Sequence, residues 1–167
     1  MIAHPAVVNR LNWIMGAGFH VAGGGSAITF PAGTEGIRLH GNGTPLTNAY
    51  GATAGGGTLN SYGSYAARNG RHYTACVNVT WCLTDVGPDD GGYVVIPGSH
   101  KAQHPLPLTD AGSPQTSDMN VILPPVNAGD LIFFMAGTTT HAAWTQIKDR
   151  RIVIPKYYAR DIDLSRL

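Results

Sequence analysis

The chain has 167 residues, of which 43% are hydrophobic and 13% are charged, and its formal net charge is +1. This composition excludes a disordered acidic chain and a coiled coil, and the scattered Lys and Arg residues provide no basic surface for nucleic acid. No run of 18 apolar residues is present, so the sequence predicts no membrane span, and the length predicts one domain over residues 1–167.

Hydrophobic periodicity predicts one helix followed by short strands. Residues 3–16 carry apolar side chains at helical spacing, with Pro5 suited to the first turn and Gly16 suited to the end. Residues 41–63 are rich in Gly, Thr, Asn and Ser and predict a long loop. Short strands broken by turns predict an all-β sandwich or jelly roll with one N-terminal helix. The predicted strands are residues 27–30, 37–40, 73–83, 93–96, 131–135 and 151–158, and Pro155 in the last predicts an edge position or a bulge.

The two cysteines, Cys76 and Cys82, lie six residues apart in one predicted strand. At that spacing both side chains leave the same face, too far apart for a disulfide. We therefore expect buried free thiols and a reducing compartment. The N-terminus has no secretory signal pattern, so the sequence predicts a cytoplasmic protein.

Two of the seven histidines stand at boundaries between a predicted strand and a loop. His40 is early in the chain and His141 is late, which is the order in which a facial triad of two histidines and one carboxylate holds iron. Arg150 and Arg151 follow on the last predicted strand, where a guanidinium can bind a dicarboxylate through two parallel hydrogen bonds. The other histidines are expected to be solvated or structural; they are His4, His20, His72, His100 and His104.

Three segments carry a resemblance to a known family. Their sequences are WCLTDVGPDDGG at 81–92, IPGSHK at 96–101 and AGDLIFF at 128–134. They resemble the phytanoyl-CoA dioxygenase family closely, and IPGSHK is the most specific of them. The resemblance runs from about residue 36 to residue 158. In these segments we expect the turn residues, including Asp85 and Asp130, to support the fold rather than to contact substrate.

The resemblance implies a single double-stranded β-helix, the cupin-like jelly roll, with Fe(II) and 2-oxoglutarate as cofactors. It implies that His40, Asn42 and His141 hold the metal and that Arg150, or Arg151 as the alternate, binds the far carboxylate of 2-oxoglutarate. Trp81 is expected to contact the cofactor, with a place in the core as the alternative. The implied activity is hydroxylation of a C–H bond in a small-molecule substrate.

The sequence departs from the family pattern at one metal position. Family members have His-x-Asp or His-x-Glu at the first ligand pair, whereas here Asn42 stands two residues after His40, and neither acidic pattern occurs anywhere in the chain. Three hypotheses follow. Asn42 binds iron through its amide oxygen; the position is open to water or halide, as in related halogenases; or the protein has lost iron and is a non-catalytic, cupin-like binding protein.

Two further expectations concern the whole chain. Only 39 residues precede His40, which is short for the family and predicts an N-terminally truncated or compact variant. An isomerase or another metal enzyme on the same barrel is a competing class, which would keep a metal but ignore 2-oxoglutarate. The sequence does not predict an oligomeric state.

Overall fold

The computed structural model describes residues 1–40, 65–68, 71–101, 120–135 and 141–160. They form one α-helix and nine strands, so the predicted β-rich class with one N-terminal helix is confirmed. None of the described helices has the length and apolarity needed to cross a bilayer. The elements are α1 (Pro5–Met15), β1 (His20–Phe30), β2 (Ile37–His40), β3 (Tyr65–Arg68), β4 (Arg71–Thr74), β5 (Cys76–Cys82), β6 (Gly92–Val95), β7 (Leu131–Met135), β8 (His141–Trp144) and β9 (Arg150–Tyr158).

Helix α1 begins and ends where local chemistry predicts. The Nδ1 atom of His4 accepts a hydrogen bond from the backbone N–H of Ala6 at 3.2 Å, and Pro5 occupies the first turn. Gly16, with φ of 82°, ends the helix, because a left-handed residue at this point favours glycine. The face that α1 buries carries Val7, Leu11 and Met15.

The strands form two facing sheets. The main sheet has the order β1-β9-β5-β7 and the smaller sheet has the order β2-β8-β6, while β3 and β4 pair separately as a hairpin. From β5 to β9 the chain alternates between the two sheets at every strand, and all strand pairs are antiparallel. This alternation is the winding of a double-stranded β-helix, so the predicted jelly roll is confirmed.

The main sheet separates an outer core from an inner face. On its outer face Val77, Val79 and Tyr157 pack against α1 in one buried cluster. Because successive residues of a strand point to opposite faces, Asn78, Thr80 and the other even-numbered residues of β5 belong to the inner face. Phe134, whose Cα lies opposite Asn78, belongs to the inner face as well.

The smaller sheet has an outer cluster in which Leu39, Val94 and Ala142 pack with Val121 and Leu123. Its inner face approaches the main sheet at Tyr93, whose ring centroid is 5.2 Å from that of Phe134. The space between the sheets is therefore lined by the inner faces of both.

Strand β9 shows how the sheet accommodates a proline. Pro155 lies in a strand with a partner on each side, and the neighbouring strand β1 changes register between Ala22 and Ser26 at this level. Gly25, with φ of 79°, approaches Pro155 so closely that a Cβ would lie 3.2 Å from its nitrogen. Pro155 predicted either an edge strand or a bulge. The structure has a bulge, and it lies in β1, the strand that pairs with β9. Strand β1 begins at His20, earlier than the predicted strand over 27–30, and its glycines form the bulged part.

Other differences concern element bounds. The strand predicted over 73–83 is broken at Ala75 into β4 and β5. Residues 41–63, which the sequence predicts to be a loop, lie outside the described residues. The two cysteines are buried and not bonded to each other, as predicted.

The segments that resemble the family form turns, and carboxylates stabilise these turns through hydrogen bonds. Asp85 accepts a hydrogen bond from the backbone N–H of Ala128 at 2.7 Å, and Asp130 accepts one from Asn127 at 2.7 Å. Gly129 has φ of 99° and Gly98 has φ of 76°, both in the left-handed region. Asp85 and Asp130 thus stabilise these turns, as predicted.

Candidate functional site

Two strands of the smaller sheet bring positions 40 and 141 together. The Cα atoms of His40 and His141 are direct partners in the pairing of β2 with β8, although 100 positions separate them in sequence. Directly opposed residues in an antiparallel pair occupy the same face of the sheet. The backbone therefore places these two positions side by side at the end where β2 leaves the sheet. Asn42 lies outside the described residues.

The opposite end of the inner face holds a buried cation. Arg150 is the first residue of β9 and only 8% of its surface is exposed, while its guanidinium carbon lies 5.2 Å from the ring centroid of Phe30. A Cβ built on Gly92 would lie 3.6 Å from Cδ of Arg150, so this side chain crosses from the main sheet to the first residue of β6. Among the described residues no carboxylate forms a salt bridge with Arg150.

Burial governs the electrostatics around Arg150. Desolvation lowers the pKa of its guanidinium, while the nearby Cys82 raises it, and a guanidinium remains charged in proteins. Desolvation likewise raises the pKa of the Cys82 thiol, so Cys82 is a neutral neighbour at physiological pH. A buried charge is costly unless it is paired, so this environment favours an anionic partner for Arg150.

Arg151 lies in a different environment from Arg150. It is exposed on the other face of β9, and its backbone N–H donates to Oγ1 of Thr84 at 3.1 Å. Of the two arginines between which the sequence left a choice, the structure places Arg150 in the space between the sheets.

An aromatic cluster surrounds His141. Its ring centroid lies 4.7 Å from that of Phe134 and 5.7 Å from that of Tyr93. Burial raises the pKa of the Tyr93 hydroxyl, which therefore stays protonated. Sequence reasoning missed Phe134 and Tyr93, because each stands in an apolar strand whose inward face cannot be recognised from one strand alone.

Trp81 is located away from the inner face. It packs against the outer cluster of the main sheet, and its ring contacts that of His4 at 5.6 Å in an edge-on arrangement. The structure therefore corrects the expected cofactor contact and favours the core alternative, because odd-numbered residues of β5 point toward α1. Trp144 similarly packs with Val94 and Ala142 on the outer face of the smaller sheet.

The described residues fit part of the implied cofactor set. An unpaired buried guanidinium on the inner face suits a dicarboxylate such as 2-oxoglutarate. Within the described ranges, His, Cys, Asp and Glu do not come together as a group of three that could hold a metal ion.

Comparisons with known proteins agree with this geometry. The model of the phytanoyl-CoA dioxygenase (PhyH) family matches residues 58–150, more than half of the chain. A search of curated proteins finds no matching sequence.

Several solved structures share the fold. HygX from Streptomyces hygroscopicus, with nickel and 2-oxoglutarate bound, has a TM-score of 0.74 at 17% identity, over 95% of this chain and 63% of that one. HygX with nickel, 2-oxoglutarate and hygromycin B bound has a TM-score of 0.75 at 19% identity, over the same shares. AviO1 from Streptomyces viridochromogenes Tue57 has a TM-score of 0.62 at 15% identity, over 97% of this chain and 61% of that one.

At these identities the likeness is one of fold, and the chain spans less than two thirds of the length of these structures. The family-model match covers strands β5 and β7 of the main sheet, strands β6 and β8 of the smaller sheet and the first residue of β9. On this match, and on the jelly-roll architecture that accompanies it, the chain belongs to the phytanoyl-CoA dioxygenase family.

Proposed function

We propose that this protein is an oxygenase that uses Fe(II) and 2-oxoglutarate to hydroxylate a C–H bond of a small molecule. One observation carries the proposal: strand pairing sets the backbone of His40 beside that of His141, and the buried Arg150, which forms no salt bridge with any described carboxylate, lies further along between the sheets. Membership of the family supports it. The fold likeness to HygX, which was solved with nickel and 2-oxoglutarate bound, supports it as well.

In this proposal each residue has a separate task. His40 and His141 hold the metal, with Asn42 or a small anion at the third protein position, and Arg150 binds the distal carboxylate of 2-oxoglutarate. When bound, the two cofactors supply the oxidation: oxygen and 2-oxoglutarate are converted to succinate and carbon dioxide while a substrate C–H bond becomes C–OH.

The contribution of the protein is orientation and exclusion of water. Arg150 is held between Phe30, Gly92 and Cys82, so its planar donors keep a fixed direction. In a buried site of low dielectric, an ion pair between this guanidinium and a carboxylate is stronger than the same pair in water. Arg150 therefore fixes which end of a dicarboxylate faces the two histidine positions.

The direct test is to load the protein with Mn(II) under nitrogen and to measure the binding of 2-oxoglutarate by calorimetry. We expect wild-type protein to bind, and Arg150→Gln to lose roughly 2–4 kcal/mol of binding free energy, a weakening of about 30-fold or more. The physical reason is that the substitution removes the buried guanidinium that would pair with the far carboxylate.

Arg151→Gln is the matched control, because Arg151 lies one residue away and is exposed. It should bind 2-oxoglutarate as wild type does. Absence of binding to the wild-type protein would contradict the proposed function. A loss confined to the Arg151 variant would move the site to the other face of β9.

Asn42 supports a second candidate function, a halogenase. An amide oxygen is neutral, so a metal held by two histidines and Asn42 keeps one more net positive charge than a metal held with a carboxylate. Such a site has a greater affinity for a halide, which would then be delivered to the substrate in place of hydroxyl.

The choice between the two candidates can be measured with Co(II) as a spectroscopic probe. If halide completes the site, chloride should change the visible spectrum of the Co(II)-loaded wild-type protein and of Asn42→Ala. Asn42→Asp should abolish that change, because the carboxylate takes the position and neutralises the charge. A spectrum that ignores chloride in all three proteins would exclude the halogenase.

The proposed substrate is a small molecule, and the proposed setting is the cytoplasm. HygX has been solved with hygromycin B bound, which supports a small-molecule substrate for a protein of this fold. Two buried thiols that are not bonded to each other suit a reducing compartment.

A further inference from the structure

Lys156 is a charged residue on the inner face of a strand that has partners on both sides. It shares the face of Arg150, because side chains alternate along β9 and the two positions are separated by an even number of residues. An inward charge can protect the edge of a sheet from pairing, but β9 lies between β1 and β5 and has no free edge. Among the described residues, Lys156 forms no salt bridge with a carboxylate. The fold therefore does not account for this charge.

The ammonium of Lys156 lies at the open end of the inner face. Lys156 is exposed, and its direct Cα partners across the sheet are the small Ala22 in β1 and Asn78 in β5. Burial raises the pKa of the Cys76 thiol and the positive charge of Lys156 lowers it, so the ammonium is close to the β5 side of this face. Arg150, in contrast, is buried at the other end of β9.

Arg150 and Lys156 are too far apart to share one oxo acid. They lie six positions apart on β9, and their Cα atoms are therefore separated by about 20 Å of strand. A five-carbon dicarboxylate held by Arg150 is much shorter than this span. Lys156 is thus left for a second ligand, and in the proposed function the second ligand is the substrate.

A buried acceptor without a donor lies beside Lys156. Asn78 is only 9% exposed, and its Oδ1 atom has no hydrogen-bond partner among the described residues. Buried polar atoms in folded proteins are nearly always paired, so this oxygen requires an explanation. An amide oxygen only accepts hydrogen bonds, so the partner it lacks is a group with an N–H or O–H.

The cation and the acceptor are next to each other and next to His141. Directly opposed residues of an antiparallel pair have Cβ atoms about 5 Å apart, and Lys156 and Asn78 are such a pair. On its other side Asn78 is the Cα partner of Phe134, whose ring centroid lies 4.7 Å from that of His141. A ligand held by Lys156 and Asn78 would therefore extend over Phe134 toward His141.

Resting on the proposed function, we propose that Lys156 and Asn78 bind the substrate and that the substrate is an α-amino or α-hydroxy acid. Lys156 pairs with the carboxylate, and Oδ1 of Asn78 accepts the N–H or O–H on the neighbouring carbon. In such an acid the anion and the donor are one carbon apart, which suits two side chains on adjacent strands. The remainder of the acid lies over Phe134, and its C–H bonds face the histidine pair.

The first test is a thermal-shift measurement on protein loaded with Mn(II) and 2-oxoglutarate under nitrogen, where a substrate binds without being oxidised. The probes are the standard L-amino acids and the 2-hydroxy acids with the same side chains. We expect at least one probe to raise the thermal midpoint, because a ligand that binds only the folded state stabilises it. The larger rise within a matched pair identifies the donor as N–H or O–H. If no probe of either kind raises the midpoint, the proposal is overturned.

Two truncated forms of the best probe assign its two ends by calorimetry. One form keeps the carboxylate and lacks the donor, and the other keeps the donor and lacks the carboxylate. Lys156→Gln should weaken the best probe about tenfold or more and leave the form without a carboxylate unaffected. Asn78→Leu should weaken the best probe by a similar factor and leave the form without a donor unaffected. Equal losses for all three ligands would mean that the residues support the fold, and would overturn the assignment.

Lys148→Gln is the matched control for Lys156→Gln. Lys148 is also exposed, but its Nζ atom already pairs with Oδ2 of Asp90 at 2.6 Å, and it lies in the turn after β8. Its removal should leave the affinity for the best probe unchanged. The same loss in both lysine variants would show a general effect of net charge and would overturn the role of Lys156.

Binding of 2-oxoglutarate separates this proposal from the one on which it rests. Lys156→Gln and Asn78→Leu should keep the wild-type affinity for 2-oxoglutarate, because Arg150 holds it at the other end of the interior. If wild type does not bind 2-oxoglutarate, the proposed function fails and this assignment fails with it. If wild type binds it and neither variant changes the affinity for any probe, only the assignment of Lys156 and Asn78 is overturned.

Discussion

Arg150 and Arg151 show that neighbouring residues of one type can have unrelated roles. The strand places Arg150 between Phe30 and Gly92 and leaves Arg151 exposed on the other face. Nothing in the dipeptide itself shows which of the two is buried. The distinction comes from the register of β9, in which Phe30 is the direct partner of Arg150.

Cys76 provides a prediction at the same scale. Its side chain is fully buried, and desolvation raises the pKa of its thiol from 9.0 to about 11. Between pH 9 and 11 the folded thiol therefore keeps a proton that the unfolded thiol has lost. The free energy of unfolding should decrease as the pH rises through this range, by up to roughly 2 kcal/mol, and the contribution is fully present below pH 9.

Urea denaturation of wild type and Cys76→Ala at pH 8, 9, 10 and 11 measures this effect. Comparison with the variant removes the contribution of tyrosines and lysines that titrate in the same range. The difference in unfolding free energy between the two proteins should shrink as the pH rises. Parallel curves for the two proteins over the whole range would contradict the prediction.

At the scale of elements, α1 and the inner faces are separated by the main sheet. The helix buries Val7, Leu11 and Met15 against the outer face, while Asn78 and Phe134 belong to the inner face of the same sheet. A change in the outer core should thus affect stability without a direct effect on the interior.

Leu11→Ala tests this separation. Leu11 is fully buried, so its truncation should lower the unfolding free energy by roughly 2–5 kcal/mol through lost burial and the cavity that remains. At a temperature where the variant is folded, its affinity for 2-oxoglutarate should equal that of wild type. Arg10→Ala, an exposed position on the same helix, is the control and should change stability by less than about 0.5 kcal/mol. A large loss of affinity in Leu11→Ala would mean that the helix and the interior are coupled.

The pairing of β9 with β1 depends on a proline and on glycines that are far apart in the sequence. Pro155 cannot donate to its neighbour, and the bulge of β1 brings Gly25 against it at a distance that no larger residue could keep without a shift. The proline and the glycines are more than 120 positions apart in sequence, so neither one alone indicates where the pairing changes register.

At the scale of the whole molecule, a ligand between the sheets should stabilise both. The main sheet contributes Phe134 and Arg150 to the space between the sheets, and the smaller sheet contributes His141 and Tyr93. Because a ligand that binds only the folded state stabilises it by mass action, 2-oxoglutarate at 100 times its Kd should add about 2.7 kcal/mol.

For a chain of this length that gain corresponds to a rise in thermal midpoint of roughly 5–10 °C. Differential scanning fluorimetry of Mn(II)-loaded protein, with and without 2-oxoglutarate, measures it. Arg150→Gln at the same ligand concentration should show a much smaller rise. An equal rise in wild type and the Arg150 variant would indicate binding outside the interior.

The sequence by itself determined the local structure and the family. Apolar spacing with Pro5 and Gly16 bounded the helix, and the segments 81–92, 96–101 and 128–134 were sufficient for the resemblance that the family model confirms. These features depend on residues close together in sequence, whose preferences act through torsions, caps and turn hydrogen bonds.

Only the tertiary structure decided which side chains meet. Strand β5 alternates between apolar and polar residues from Val77 to Trp81 and is buried on both faces, so its sequence does not reveal which face points to the space between the sheets. The position of α1 on the outer face assigns Trp81 to the core and Asn78 to the interior. Contacts across the two sheets depend on register over long sequence separations, and register is set by the packing of the whole domain.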